Sequence, residues 1–143
     1  MFVAKILDDK GHEVVTADPG ETVASIAATL SERRIGAMPV SSAGGALVGI
    51  VSERDVVAAL AEHGREALDR PVEEIMTRRV ITCGRSDHID DLMARMTEGR
   101  MRHLPVLEGD ELVGIVSIGD VVKARMGEIE AEAQALKDYI TTG

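Results

Sequence analysis

The chain has 143 residues, 45% of them hydrophobic and 29% charged, with a formal net charge of −9 and one cysteine. That length makes one compact unit or two very small ones. The charge argues against a non-specific binder of nucleic acid or anionic membranes, and lone Cys83 excludes an internal disulfide or a multi-cysteine metal site.

Taken in order, the N-terminal MFVAKILDDK meets acidic residues too soon for a secretory core, which gives a cytoplasmic expectation. A short β-rich start at 13–16 leads into a Pro19-Gly20 turn. Val23, Ile26, Ala27 and Leu30 then fall at i, i+3, i+4 and i+7, one face of a helix. A strand at 37–40, a glycine-containing hairpin loop and a strand at 46–51 follow. That last strand is apolar enough to be buried on both faces. A second helix opens at Ser52, and residues 64–74 read as a linker. The same order then recurs: a β-rich start at 79–82, a helix with Ile89, Leu92, Met93 and Met96 inward, strands at 103–107 and 111–116, and a helix opening at Ser117. With Phe2 and Tyr139 the only aromatics, aliphatic and methionine side chains must fill the core.

The recurrence is literal. LVGIVS occupies 47–52 and again 112–117, and Asp55-Val56-Val57 is answered by Asp120-Val121-Val122. Pro39-Val40 matches Pro105-Val106, Arg34 matches Arg100, and Thr16 matches Thr82. The offset is 66 before the hairpin loop and 65 after it, so one residue is lost there. The chain is therefore α+β, a β-α-β-β-α unit used twice. Neither copy has enough core alone, so the two are expected to pair.

The repeated Ser-x-x-Asp (Ser52/Asp55 and Ser117/Asp120) sits where a strand turns into a helix. One reading is a capping box, worth about 0.5–2 kcal/mol. The other uses the same geometry on a ligand. A carboxylate can hold the two hydroxyls of a ribose, Ser can bond sugar or phosphate, and the helix start favours an anion. Gly49 and Gly114 would let a ligand or another backbone come close. Both readings can hold together.

In GAMPV (36–40) with GIVSERD (49–55), RHLPV (102–106) with GIVSIGD (114–120), and PVEEIMTRRVITC (71–83), the chain resembles a tandem pair of cystathionine-β-synthase-type (CBS) domains, a Bateman module. The resemblance implies domains at 8–68 and 75–131, a helical tail at 127–143, and two ligand clefts related by a pseudo-two-fold axis. It implies an adenosine-containing ligand: AMP, ADP, ATP, NAD(H) or S-adenosylmethionine. Asp55 and Asp120 would hold ribose, with Ser52 and Ser117 on ribose or phosphate. Adenine would lie against Val14, Thr16, Gly36, Ala37, Met38 and Pro39 in one cleft. In the other it would lie against Val80, Thr82, Arg102, His103, Leu104 and Pro105. Arg54 is a natural phosphate clamp, whereas Gly119 stands at its counterpart, so the two sites cannot be chemically equivalent. Arg33, Arg34, Arg100 and Arg102 are within reach of either cleft.

The resemblance further implies a homodimer; the output is expected to lie in an unidentified effector protein or in oligomer shape, and the charge of −9 leads to no expected nucleic acid or membrane partner. No nucleophile–base pair or P-loop is visible, so no catalytic role is expected. A scaffold with unoccupied clefts is the alternative, and an enzyme acting on a nucleotide is a weaker one. His12, His63 and His88 read as surface residues, His103 as a ligand or packing residue, and Cys83 as an inert thiol; no metal spacing is present. In the tail, Val122, Met126, Ile129, Ala133, Leu136 and Ile140 form an a/d seam suited to a second copy, the other possibility being a helix lying on its own domain.

Overall fold

A computed structural model describes residues 1–142. Five helices and two antiparallel two-stranded sheets make an α+β fold. The order is α1 (Val3–Lys10), α2 (Val23–Arg33), β1 (Ala37–Ser41), β2 (Leu47–Ser52) and α3 (Glu53–His63). After 3-10 turns at Gly64–Asp69 and Val72–Glu74 come α4 (Ile89–Gly99), β3 (His103–Glu108), β4 (Glu111–Ser117) and α5 (Ile118–Thr142). No helix among the described residues is long and apolar enough to cross a membrane.

The chain divides into two compact units. One comprises Glu13–Ile81 with Glu108–Val113; the other comprises Met1–His12, Thr82–Leu107 and the chain from Gly114. The repeat reappears in what each unit buries. Val23, Ile26 and Leu30 of α2, Met38 and Val40 of β1, Val51 and Val56 are buried in the first. Their counterparts Ile89, Leu92, Met96, Leu104, Val106, Val116 and Val121 are buried in the second. Thr22 caps α2 by accepting from Ser25 N–H, and His88 caps α4 by accepting from Asp90 N–H, so His88 is a capping residue and not a plain surface one. Both helices end on an arginine in the left-handed region, Arg34 and Arg100 at φ 53°. Glycine usually takes that position, where its missing Cβ avoids strain.

Two local expectations are revised. The opening strands at 13–16 and 79–82 shrink to single parallel bridges one residue later, Ala17 to Val40 and Cys83 to Val106. Ala17 donates to Pro39 C=O and accepts from Ser41 N–H; Cys83 does the same with Pro105 and Leu107. The strands entering α3 and α5 are also not buried on both faces. In β2 only Gly49 and Val51 are buried, and in β4 only Gly114 and Val116. The strands enclosed on both faces are β1 and β3, each lying between its bridge and its hairpin partner. One element was not foreseen. Val3, Ile6 and Leu7 are buried on α1, the i, i+3, i+4 spacing of an amphipathic helix.

Candidate functional site

Each Ser-x-x-Asp forms the reciprocal cap that its spacing suggests. Ser52 N–H donates to Asp55 Oδ2 at 2.8 Å, while Asp55 N–H points at Ser52 Oγ at 3.4 Å. Ser117 N–H donates to Asp120 Oδ2 at 2.9 Å, and Asp120 N–H donates to Ser117 Oγ at 3.1 Å. Capping takes only one oxygen of each carboxylate. Every hydrogen bond to Asp55 or Asp120 lands on Oδ2, so Oδ1 of both is unengaged among the described residues. A half-buried carboxylate with a spare oxygen at a helix start can accept a ligand hydroxyl without losing the cap.

The neighbouring strand is held to the same spot. Ala37 is the register partner of Ser52 across β1 and β2, and Gly36 C=O accepts the Glu53 N–H at 3.0 Å. In the other unit Arg102 C=O accepts the Ile118 N–H at 2.7 Å. Gly36 and Ala37 therefore lie beside Ser52 and Asp55, and Arg102 beside Ser117 and Asp120. Met38, Pro39, Leu104 and Pro105 continue along β1 and β3 as buried residues, with His103 half-buried at the start of β3. Thr16 is exposed and precedes Ala17, whose bridge to Val40 lies further along β1. It lines a pocket of about 360 Å³ with Asp18, Ser42 and Glu111; Ser52 and Asp55 do not line that pocket. Val14, Val80 and Thr82 are half-buried, and Thr82 C=O accepts from Arg95 at 3.3 Å. Arg54 and Gly119 are exposed in the first turns of α3 and α5. Arg33, Arg34, Arg100 and Arg102 are exposed as well, and Arg33 pairs with Glu13 at 3.6 Å.

Another backbone does come close at Gly49, where the Thr77 carbonyl oxygen would lie 3.0 Å from an added Cβ, while at Gly114 the space is taken by a side chain alone. A Cβ on Gly49 would lie 2.5 Å from Met76 Sδ, and one on Gly114 would lie 2.6 Å from Leu7 Cδ2. Sequence reading also missed Lys10. It ends α1 and reaches Asp120 Oδ2 at 2.7 Å and Ile115 C=O at 2.9 Å. Burial works to raise the Asp120 pKa, but the bonds from Lys10 and Ser117 outweigh it and hold the carboxyl below its usual range. Nothing in the local sequence marks this contact, whose members are separated by 110 positions.

Cys83 is the counterpart of buried Ala17 and packs as a small core residue. Burial, helped by the Asp87 charge and opposed by Arg95, pushes its thiol up to about 12. At pH 8 the folded protein is expected to react with a disulfide reagent roughly tenfold more slowly, or slower still, than urea-unfolded protein, because thiolate is scarce and enclosed. Equal rates would assign Cys83 a reactive role after all. Among the described residues no group of three His, Cys, Asp or Glu side chains is placed to hold a metal ion.

Comparison with known proteins places this geometry in a family context. The CBS-domain family model matches residues 6–62 and 72–127. CBSX3, a mitochondrial CBS domain-containing protein of Arabidopsis thaliana, is 35% identical over 86% of this chain, which spans 62% of that relative's length. The crystal structure of the CBS-domain protein ATU1752 from Agrobacterium tumefaciens superposes with a TM-score of 0.85 at 47% identity, covering 87% of this chain and 92% of that one. The CBS domain protein PAE2072 from Pyrobaculum aerophilum, solved in complex with AMP, gives a TM-score of 0.75 at 27% identity, covering 84% and 89%.

Proposed function

Because this chain belongs to the CBS-domain family, we propose that it is a non-catalytic regulatory module that binds adenosine-containing nucleotides at the starts of α3 and α5 and passes occupancy to a partner protein. The observation that carries the reading is the duplicated carboxylate. In both repeats the Asp is held by its cap through Oδ2, while Oδ1 remains for a ligand hydroxyl. A similar CBS-domain protein solved with AMP supports the ligand class.

In this reading the repeats occupy 8–68 and 75–131, and the tail runs from 127 to 143. Asp55 and Asp120 take the ribose hydroxyls, with Ser52 and Ser117 beside them. The adenine edge is read by backbone groups of Gly36, Ala37, Met38 and Pro39 with Val14 and Thr16, and of Arg102, His103, Leu104 and Pro105 with Val80 and Thr82. Arg54 supplies a phosphate contact for which Gly119 has no equivalent. The compartment is cytoplasmic, which suits a single buried thiol.

The test is a thermal-shift screen with AMP, ADP, ATP, NAD, NADH and S-adenosylmethionine. A ligand at a hundred times its Kd stabilises the native state by about 2.7 kcal/mol, a rise in Tm of roughly 8 °C for a chain of this size. No shift with any of the six would favour a scaffold with unoccupied sites.

The second part of the proposal is self-association through α5. Val122, Met126, Ile129, Leu136 and Ile140 are 44–68% exposed, so the apolar seam is not covered by its own domain. Val122 and Met126 line an apolar groove of about 550 Å³. The a/d spacing is self-complementary, which supports a second copy of this chain as its occupant. Its limited length makes it an auxiliary contact. Ile129→Glu with Leu136→Glu is expected to weaken the dimer about tenfold, read by light scattering on dilution, while leaving the stability of the single chain within about 0.5 kcal/mol, because both side chains are exposed there. A dimer affinity unchanged by both substitutions removes the seam from that role.

A further inference from the structure

The two site carboxylates differ in one respect. Asp55 Oδ2 accepts from the Ser52 N–H and, at 3.1 Å, from the Ser52 hydroxyl. Asp120 Oδ2 accepts from the Ser117 N–H and from the Lys10 ammonium at 2.7 Å. The difference continues one strand residue away. The Ile50 carbonyl is bonded by the backbone N–H of Thr77 at 2.9 Å, whereas its counterpart, the Ile115 carbonyl, is bonded by Lys10 at the same distance. A neutral backbone donor serves one repeat and a charged side chain serves the other. Lys10 is delivered there by a packed element, since Val3, Ile6 and Leu7 anchor α1 and Leu7 fills the space above Gly114.

We propose that Lys10 makes the α5 site selective for phosphorylated over unphosphorylated adenosine ligands. The inference rests on the reading that Asp120 receives the ribose. A ribose diol engages both carboxylate oxygens, so the second donor on Oδ2 must yield. In the α3 site that donor is the Ser52 hydroxyl, which turns away by rotation at little cost. In the α5 site it is the Lys10 ammonium, and its departure separates an ion pair of 2.7 Å whose carboxylate is half-buried. A neutral riboside offers the displaced ammonium nothing. A 5′-phosphate offers a new anionic partner within reach of the flexible lysine stem. Lys10 thereby supplies the cation for which Gly119, standing opposite Arg54 in the repeat, has no side chain.

The test isolates the α5 site with Asp55→Asn and measures AMP and adenosine by calorimetry, with and without Lys10→Met. With Lys10 present, AMP is expected to bind about tenfold more tightly than adenosine; with methionine the ratio should fall to about threefold or less, adenosine tightening as AMP weakens. Lys10→Arg should retain the preference, and thermal melts of all variants report whether the fold is kept. A ratio unchanged by Lys10→Met, with AMP still bound, overturns the role of Lys10 alone. So does binding that Asp55→Asn abolishes completely, since the α5 site would then take no ligand. Failure of the unmodified protein to bind AMP overturns the site reading and this inference with it.

Discussion

Asp55→Asn is expected to weaken AMP binding at the α3 site by about thirtyfold while leaving the fold almost unchanged. A hydrogen bond to a charged acceptor contributes about 2 kcal/mol more than an unmade one, which corresponds to that factor. Asparagine separates the observed cap from the proposed ligand contact. Its amide oxygen can still accept the Ser52 N–H, now 2.8 Å from Asp55 Oδ2, so the cap persists. What it loses is the negative charge and one of the two acceptors that a ribose diol requires. Asp55→Ala removes cap and ligand acceptor together and should also cost about 1 kcal/mol of stability. Calorimetric titration beside thermal melts distinguishes the cases. If Asp55→Asn and Asp120→Asn both leave AMP affinity unchanged, the carboxylates are caps and nothing more, and the ligand lies elsewhere.

Gly114→Val is expected to destabilise the protein by about 3 kcal/mol, a large part of the 5–15 kcal/mol typical of a domain. The first added carbon would already sit 2.6 Å from Leu7 Cδ2 and 3.1 Å from Leu7 Cδ1. Leu7 is fully buried on α1, so it cannot swing into solvent to make room. Leu7→Ala alone should cost about 2–5 kcal/mol through the cavity it leaves. The double variant should be less unstable than the sum of the two by at least about 1 kcal/mol, because the valine fills the space the leucine vacated. Urea unfolding of the four proteins measures the coupling. Strict additivity would show that Leu7 is not what Gly114 accommodates. The same change at Gly49 meets Met76 Sδ at 2.5 Å and the Thr77 carbonyl oxygen at 3.0 Å, and backbone gives way less readily than a methionine side chain.

Much of the fold is legible along the chain because its signals are local and doubled. The apolar spacing of Val23, Ile26 and Leu30 recurs in Ile89, Leu92 and Met96, and both sets are buried. Ser52 and Ser117 begin helices because the side chain that closes each cap is three residues away, within one turn. The opening strands were overestimated because a β-rich stretch says nothing about how long a partner runs beside it. Only Ala17 and Cys83 find one. Burial of β2 and β4 was overestimated for a related reason, since an apolar sequence does not reveal which faces are covered.

The sequence by itself determined the duplication, the α+β class, a Ser-x-x-Asp pair at each of two equivalent helix starts, and a tail carrying an apolar a/d seam, whose exposure only the tertiary structure shows. These follow from residue type and short-range periodicity, which act through contacts within a turn or a hairpin. Tertiary structure alone decided that the two carboxylates are not alike. Lys10 and Asp120 are 110 positions apart and meet because Leu7 docks α1 over Gly114. Their pairing depends on a packed surface that no local pattern encodes, and it places a cation on one carboxylate of the repeated pair.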